Sequence, residues 1–166
     1  MCILYETLKQ NRCIITRYEN HNKRVLWVIS YMIKINCKKI VDGKANGLAL
    51  LSNRPINMLS MLDTKSGRII DKDHDLFNQT VKDRILILPN CIGSSVGAYI
   101  FYSLKINDVS PKAIICTNRC DIITASGCAI SDIPLVDGRG SSFESLKNNT
   151  KVTVDANKQI IIIHTV

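Results

Sequence analysis

The chain has 166 residues, 46% of them hydrophobic, with a formal net charge of +8. That length and apolar share suit one domain with its own core and exclude a disordered chain. Aromatics are only 5% of the residues, and the basic excess neither interleaves with aromatics nor forms a nucleic-acid motif; it reads as a solvated surface with a leaning toward anionic ligands or an acidic partner.

Residues 1–31 are polar and basic as far as Arg24, then run Val25-Leu26-Trp27-Val28-Ile29-Ser30-Tyr31. That apolar run is far too short to span a bilayer and stands in the wrong place for a signal peptide, so neither a membrane nor a secretory role is expected. Met32-Ile33-Lys34-Ile35 reads as a natural start followed at once by a strand. The expectation is a true start at Met32, with 1–31 as an extension and 32–166 as a single domain.

Ile33 to Val41 reads as a strand ended by Asp42-Gly43, and Leu48 to Ser52 as a second, stopped by Asn53-Arg54-Pro55. Residues 57–83 read as irregular and polar, with a turn at Lys65-Ser66-Gly67 and a short strand at Arg68 to Ile70. Arg84 to Leu88 is a run of the kind buried on both faces of a sheet. Val96 to Asn107 fits a helix, with Tyr99, Ile100, Ser103, Leu104 and Asn107 at helical spacing and Val109-Ser110-Pro111 ending it. Ala113 to Cys116 is a short buried strand, Ile122 to Ile130 a helix of small residues, and Pro134 to Val136 another short strand. Lys151 to Val154 and Gln159 to His164 read as a hairpin across Asp155-Ala156-Asn157-Lys158. Strands alternating with helices, flanked by hairpins, give a mixed α/β architecture.

The cysteines, Cys2, Cys13, Cys37, Cys91, Cys116, Cys120 and Cys128, are odd in number and irregular in spacing. They form no Cys-x-x-Cys pair, so they read as free thiols of a reducing cytosol and place no metal on this chain.

Two stretches carry chemistry. In Gly93-Ser94-Ser95-Val96-Gly97 a buried strand turns into a helix. The first N–H groups of that helix lack intrahelical partners and favour an anion. A serine there can cap the helix, but a cap does not call for two serines between glycines. The stretch is neither a Walker loop nor a Gly-x-Ser-x-Gly elbow. The second, Asp63 to His74, is dense in polar groups and reads either as a solvated turn or as a functional loop.

Five motifs, in order, resemble one family. They are Gly43-Lys44-Ala45-Asn46-Gly47-Leu48-Ala49-Leu50-Leu51-Ser52 with Pro55; Asp63 with Ser66-Gly67-Arg68-Ile69-Ile70-Asp71 and His74; Leu88-Pro89 with Gly93-Ser94-Ser95-Val96-Gly97; Pro111-Lys112-Ala113-Ile114-Ile115; and Ile133-Pro134-Leu135-Val136-Asp137. Their order and spacing over roughly residues 33–166 resemble the aconitase X small subunits, a group that includes archaeal phosphomevalonate dehydratase. The resemblance implies a swivelling β/β/α domain like the mobile domain of aconitases. It implies a heterodimer with a large subunit, whose own cysteines would hold an iron–sulfur cluster. The implied reaction is cytoplasmic dehydration of (R)-5-phosphomevalonate, a small phosphorylated hydroxy acid, to trans-anhydromevalonate 5-phosphate. Another hydro-lyase of the group, such as a cis-3-hydroxyproline dehydratase, and a catalytically silent assembly domain are the alternatives.

Ser94 aligns with the family's proton-acceptor serine, and Gly93, Ser95, Gly97, Asp63, Asp71 and His74 are the implied substrate-binding positions. One departure stands at Ile92, where the family carries a basic residue two positions before the first serine. Arg54, Arg68, Arg119 and Arg139 are the candidates to supply that charge.

Overall fold

The computed structural model describes residues 7–8, 11–19, 25–138, 143 and 146–165, with side chains from residue 32 onward. Strands β1 (Thr7–Leu8), β2 (Asn11–Glu19) and β3 (Val25–Asn36) are antiparallel neighbours, and β3 continues through Met32 without a break. After Cys37 come β4 (Lys38–Val41) and β5 (Lys44–Leu51). The single strand expected over Ile33 to Val41 is therefore divided. The N–H of Cys37 turns aside to the carbonyl of Gln159 at 3.0 Å, and the chain changes partner there. Ile33 and Ile35 stand before this point and Ile40 and Val41 after it, with no glycine or proline between to mark the change.

Residues 57–83, expected to be irregular and polar, are stitched into the core. They form β6 (Ile56–Asn57), a single turn α1 (Met58–Met61), and a small hairpin of β7 (Leu62–Asp63) and β8 (Arg68–Ile69). Met58, Leu62, Ile69, Leu76 and Val81 are all buried there. They are too widely spaced in the chain to look like an element, yet they converge on one cluster.

Next come β9 (Arg84–Leu88), β10 (Cys91–Ile92), α2 (Gly97–Ile106), β11 (Ala113–Cys116), α3 (Ile122–Ile130), β12 (Leu135–Asp137) and the hairpin β13 (Lys151–Asp155) and β14 (Ile160–Thr165). Among the described residues ten strands make one sheet, in the order β1-β2-β3-β14-β13-β5-β9-β11-β12-β4. Strands β5, β9, β11 and β12 are parallel. The parallel links from β9 to β11 and from β11 to β12 run through α2 and α3, as crossover geometry requires. Only Cys37 separates β3 from β4, though the two lie far apart in the strand order. The sheet must curl round to bring them together.

Alternate residues of the parallel strands serve two cores. Leu86, Leu88, Ile114 and Leu135 pack under the helices. Ile85, Ile87, Ile115 and Val136 face the other way and share a cluster with Val152, Val154, Ile161 and Ile163 of the C-terminal hairpin. The result is three layers: antiparallel sheet, parallel sheet, helices. Helices α2 and α3 touch closely. A Cβ placed on Gly127 would lie 2.2 Å from Phe101 Cδ2, so only glycine permits this approach. No helix among the described residues is long and apolar enough to cross a membrane.

Candidate active site

Parallel α/β sheets bind ligands beyond the carboxyl ends of their strands. At that end of β9 the chain passes Pro89 and Asn90 and lays β10 parallel to β6. Gly93 follows with φ +131, a conformation L residues rarely adopt, and a Cβ there would stand 3.2 Å from Asn57 Oδ1. The chain then reverses through Ser94, Ser95 and Val96 into α2. Gly97 N–H donates to the Ser94 carbonyl at 2.8 Å, and Ala98 N–H to that of Ser95 at 3.2 Å.

The cap position of α2 is Val96, with no side-chain cap. Neither serine therefore serves as a cap. Both are exposed, and among the described residues neither hydroxyl has a hydrogen-bond partner, nor do the N–H groups of Ser94, Ser95 and Val96. Two hydroxyls and three free donors thus converge at the positive end of a ten-residue helix. The arrangement can hold an anion and stabilise charge that develops on an oxygen.

Asp121, which sequence reasoning missed, holds this turn in place. Its Oδ2 accepts the Cys91 N–H at 2.9 Å and the Thr124 hydroxyl at 2.6 Å, while Oδ1 accepts the Thr124 N–H at 2.8 Å. One carboxylate thus caps α3 and fastens the strand leading to Ser94. Asp121 followed by Ile122, Ile123 and Thr124 is itself a cap signal. Asn57 acts alongside it: its Oδ1 accepts the N–H groups of Leu59 and Ser60 and abuts Gly93.

The structure gathers Gly93, Ser94 and Ser95, and sets Gly97 beneath them. Gly97 is buried, its N–H is taken by Ser94, and a Cβ there would lie 3.0 Å from Ile123 Cγ2. It positions the turn and offers no free donor. The structure does not bring the other expected positions, Asp63, Asp71 and His74, into this cluster. Asp63 folds its own turn: its carboxylate accepts the N–H groups of Lys65 and Ser66 at 3.3 and 3.1 Å and also the Ser66 hydroxyl. The Ser66 hydroxyl foremost, with the Lys65 N–H, holds that carboxyl below its ordinary value. The neighbouring Thr64 carbonyl accepts from Asn107, at the C-terminal end of α2. A ten-residue helix spans about 15 Å, so Asp63 sits far from Ser94.

Asp71 accepts the Asp73 N–H at 3.0 Å and closes another local turn. His74 is 3% exposed. Its Nδ1 stands 3.0 Å from Asp75 Oδ1 and 3.2 Å from the Leu76 nitrogen, and its Nε2 is buried without a partner among the described residues. Asp75 accepts from the Ser52 hydroxyl at 2.7 Å, which pins this loop to the carboxyl end of β5. The His74 ring holds the loop from inside.

Of the basic candidates, Arg54 donates through Nη1 to the Asp73 carbonyl. Arg68 donates to the Asn78 carbonyl at 2.6 Å, on the same hairpin as Asp63. Arg139 lies outside the described residues. Arg119 is exposed, on the loop between β11 and α3.

Burial pushes the Cys91 thiol up to about 12 and the Cys128 thiol well above its ordinary value. Contact with the Cys120 thiol, and then burial, raises Cys116. These are neutral thiols in an apolar cluster, and no group of three His, Cys, Asp or Glu among the described residues is placed to hold a metal. A cavity of about 740 Å³, lined by Asp42, Asp83, Asp108 and Lys112 among others, opens at the amino ends of the parallel strands, opposite Ser94. Its charges answer one another, Lys112 lying 3.7 Å from Asp83.

A curled sheet with a crossover helix aiming its free N-terminus beyond the strand ends is the architecture of a swivel domain. Residues 34–163 match the model of the aconitase X swivel domain, and the chain belongs to that family. The phosphomevalonate dehydratase small subunit of Thermococcus kodakarensis is 42% identical over 124 residues, covering 75% of this chain and 91% of that protein. The same subunit of Methanococcoides burtonii is also 42% identical, over 125 residues, 75% of this chain and 90% of that protein. Among solved structures, the holo-form of Thermococcus kodakaraensis aconitase X superposes with a TM-score of 0.73 at 40% identity, covering 78% of this chain and 97% of the other. The relatives' names make them subunits of a hydro-lyase.

Proposed function

We propose that this chain is the small subunit of a heterodimeric hydro-lyase that converts (R)-5-phosphomevalonate to trans-anhydromevalonate 5-phosphate, with Ser94 as the proton acceptor. The observation that carries the reading is the uncapped Ser94 hydroxyl among free N–H groups at the start of α2. The dehydratase small subunits at 42% identity support the choice of substrate.

The reaction removes a proton from the carbon next to a carboxylate and a hydroxide from the carbon beyond, leaving a double bond and water. A serine alkoxide is costly in water. At a helix N-terminus, closed off from solvent, the positive end of the helix and the free donors lower that cost. The Ser95 hydroxyl and the N–H groups steady the substrate carboxylate while charge develops on it. The Lewis acid for the departing hydroxyl is assigned to an iron–sulfur cluster on the large subunit. Ile92, Val96, Tyr99 and Ile122, the last 83% exposed, form an apolar rim along the serine turn and the adjacent helix ends. That rim supports a large subunit that closes over the turn and excludes water.

The test is anaerobic co-expression with the large subunit, following loss of phosphomevalonate. Turnover should need both chains, and Ser94→Ala should lower it by roughly 10²–10⁴-fold with assembly intact. A stable complex that ignores phosphomevalonate would overturn the substrate, and an unchanged rate in Ser94→Ala would overturn the base.

A further inference from the structure

We infer that Arg119 is the cation that meets the phosphate of the substrate, in place of the charge missing at Ile92; this rests on the dehydratase reading above. Ile92 is 42% exposed, so the turn offers an apolar side chain where a dianionic group needs a counter-charge. The free N–H groups beside Ser94 suit the carboxylate, because the carboxylate is bonded to the carbon that loses its proton. The phosphate sits at the other end of the molecule and needs a second, more distant anchor.

Arg119 stands where that anchor is wanted. Its loop is fastened three times to the strand that leads into the serine turn. Thr117 N–H donates to the Leu88 carbonyl at 2.9 Å, Asn118 N–H donates to that of Pro89 at 3.2 Å, and Asp121 accepts the Cys91 N–H at 2.9 Å. The backbone of Arg119, lying between these ties, is therefore held level with Asn90 and Cys91. Cys91 to Ser94 spans at most about 10 Å of extended chain, a distance that an arginine side chain and the five-carbon backbone of the substrate bridge together.

Arg119 is also available. It is exposed, and among the described residues its guanidinium has neither a hydrogen bond nor an ion pair. Arg54 and Arg68 both hold backbone carbonyls, and Arg68 does so on the hairpin at the far end of α2. A guanidinium fork matches a phosphate in two places at once, which a lysine cannot reproduce.

The test uses the assembled heterodimer with Arg119→Ala and Arg119→Lys. In Arg119→Ala, KM for phosphomevalonate should rise about 10–100-fold while kcat stays within about threefold, and Lys should recover part of the loss. Inhibition by mevalonate, which lacks the phosphate, should be equal in wild type and Arg119→Ala. An unchanged KM, or a parallel loss of mevalonate inhibition, overturns the assignment. Calorimetric titration with phosphomevalonate separates this from the reaction itself. Weaker binding in Arg119→Ala upholds the contact even if the wild-type complex does not turn over, a result that would sink the dehydration alone. Equal binding overturns Arg119.

Discussion

Asp121→Ala should weaken the whole molecule and the serine turn together. The substitution removes the cap of α3, a loss of about 1 kcal/mol. It also strands the Cys91 N–H and the hydroxyl of Thr124, which is fully buried. An unsatisfied buried donor costs about 1–3 kcal/mol. These effects share one carboxylate and do not add fully, so the expected loss is about 2–4 kcal/mol. For a chain of this size that lowers Tm by about 4–16 °C. Asp121→Asn should lose about half as much, since an amide presents oxygen to only one of the two N–H donors. Urea unfolding of the three proteins gives the values directly. A loss below about 1 kcal/mol in Asp121→Ala would refute the view that this carboxylate joins the serine turn to α3. Assembled with the large subunit, the same variant should turn over more slowly, because Ser94 is then less firmly aimed.

Gly127→Ala should destabilise by about 1–2 kcal/mol: overpacking against the Phe101 ring costs up to about 3 and the gain in helix propensity returns about 1. Gly97→Ala, whose Cβ would lie 3.0 Å from Ile123 Cγ2 and 3.9 Å from Met58 Cβ, should cost less, and equal unfolding midpoints would count against the close helix contact. His164 is held below its ordinary value of 6.5 by burial and by Lys151. The neutral ring is the folded form, so its contribution is complete above pH 6.5 and is lost as pH falls through the lower folded value. His164→Gln should therefore lose less stability than wild type between pH 7.5 and 5, and parallel pH curves would refute this. A chain beginning at Met32 keeps the register of β3 against β14 from Met32↔His164 to Asn36↔Ile160. We propose that it assembles and turns over like the full chain, and a tenfold lower rate in the same assay would argue that residues 1–31 contribute.

Some elements were legible because their signals are local. The bounds of β9, β11 and α3 match the reading, since each is an apolar or small-residue run between turn formers. The serine turn was legible too, because glycine at positive φ before a helix leaves a mark in sequence. What was not legible depends on distant parts of the chain. The polar look of 57–83 hid Leu62, Ile69, Leu76 and Val81, whose burial follows only from tertiary convergence. The burial of His74 was not legible either, because nothing local announces the Ser52–Asp75 bond beside it. Asp63 belongs to a different motif from the serine turn and lies a helix length away from it. The break at Cys37 is invisible for the same reason, since it is set by the carbonyl of Gln159.

The strand order has a consequence for biosynthesis. The last hairpin, β13 and β14, inserts between β3 and β5, two of the earlier strands. Until Lys151 to Thr165 have left the ribosome, β3 and β5 each present a bare edge, even with β9 and β11 already in place. At about 5–20 residues per second, the stretch from Leu88 to Lys151 takes several seconds to synthesise. Throughout that interval the nascent chain offers two templates for pairing with other chains, and any messenger damage that stops translation before the hairpin leaves them open for good. Arrival of the final hairpin, rather than formation of any earlier element, is the event that closes the sheet.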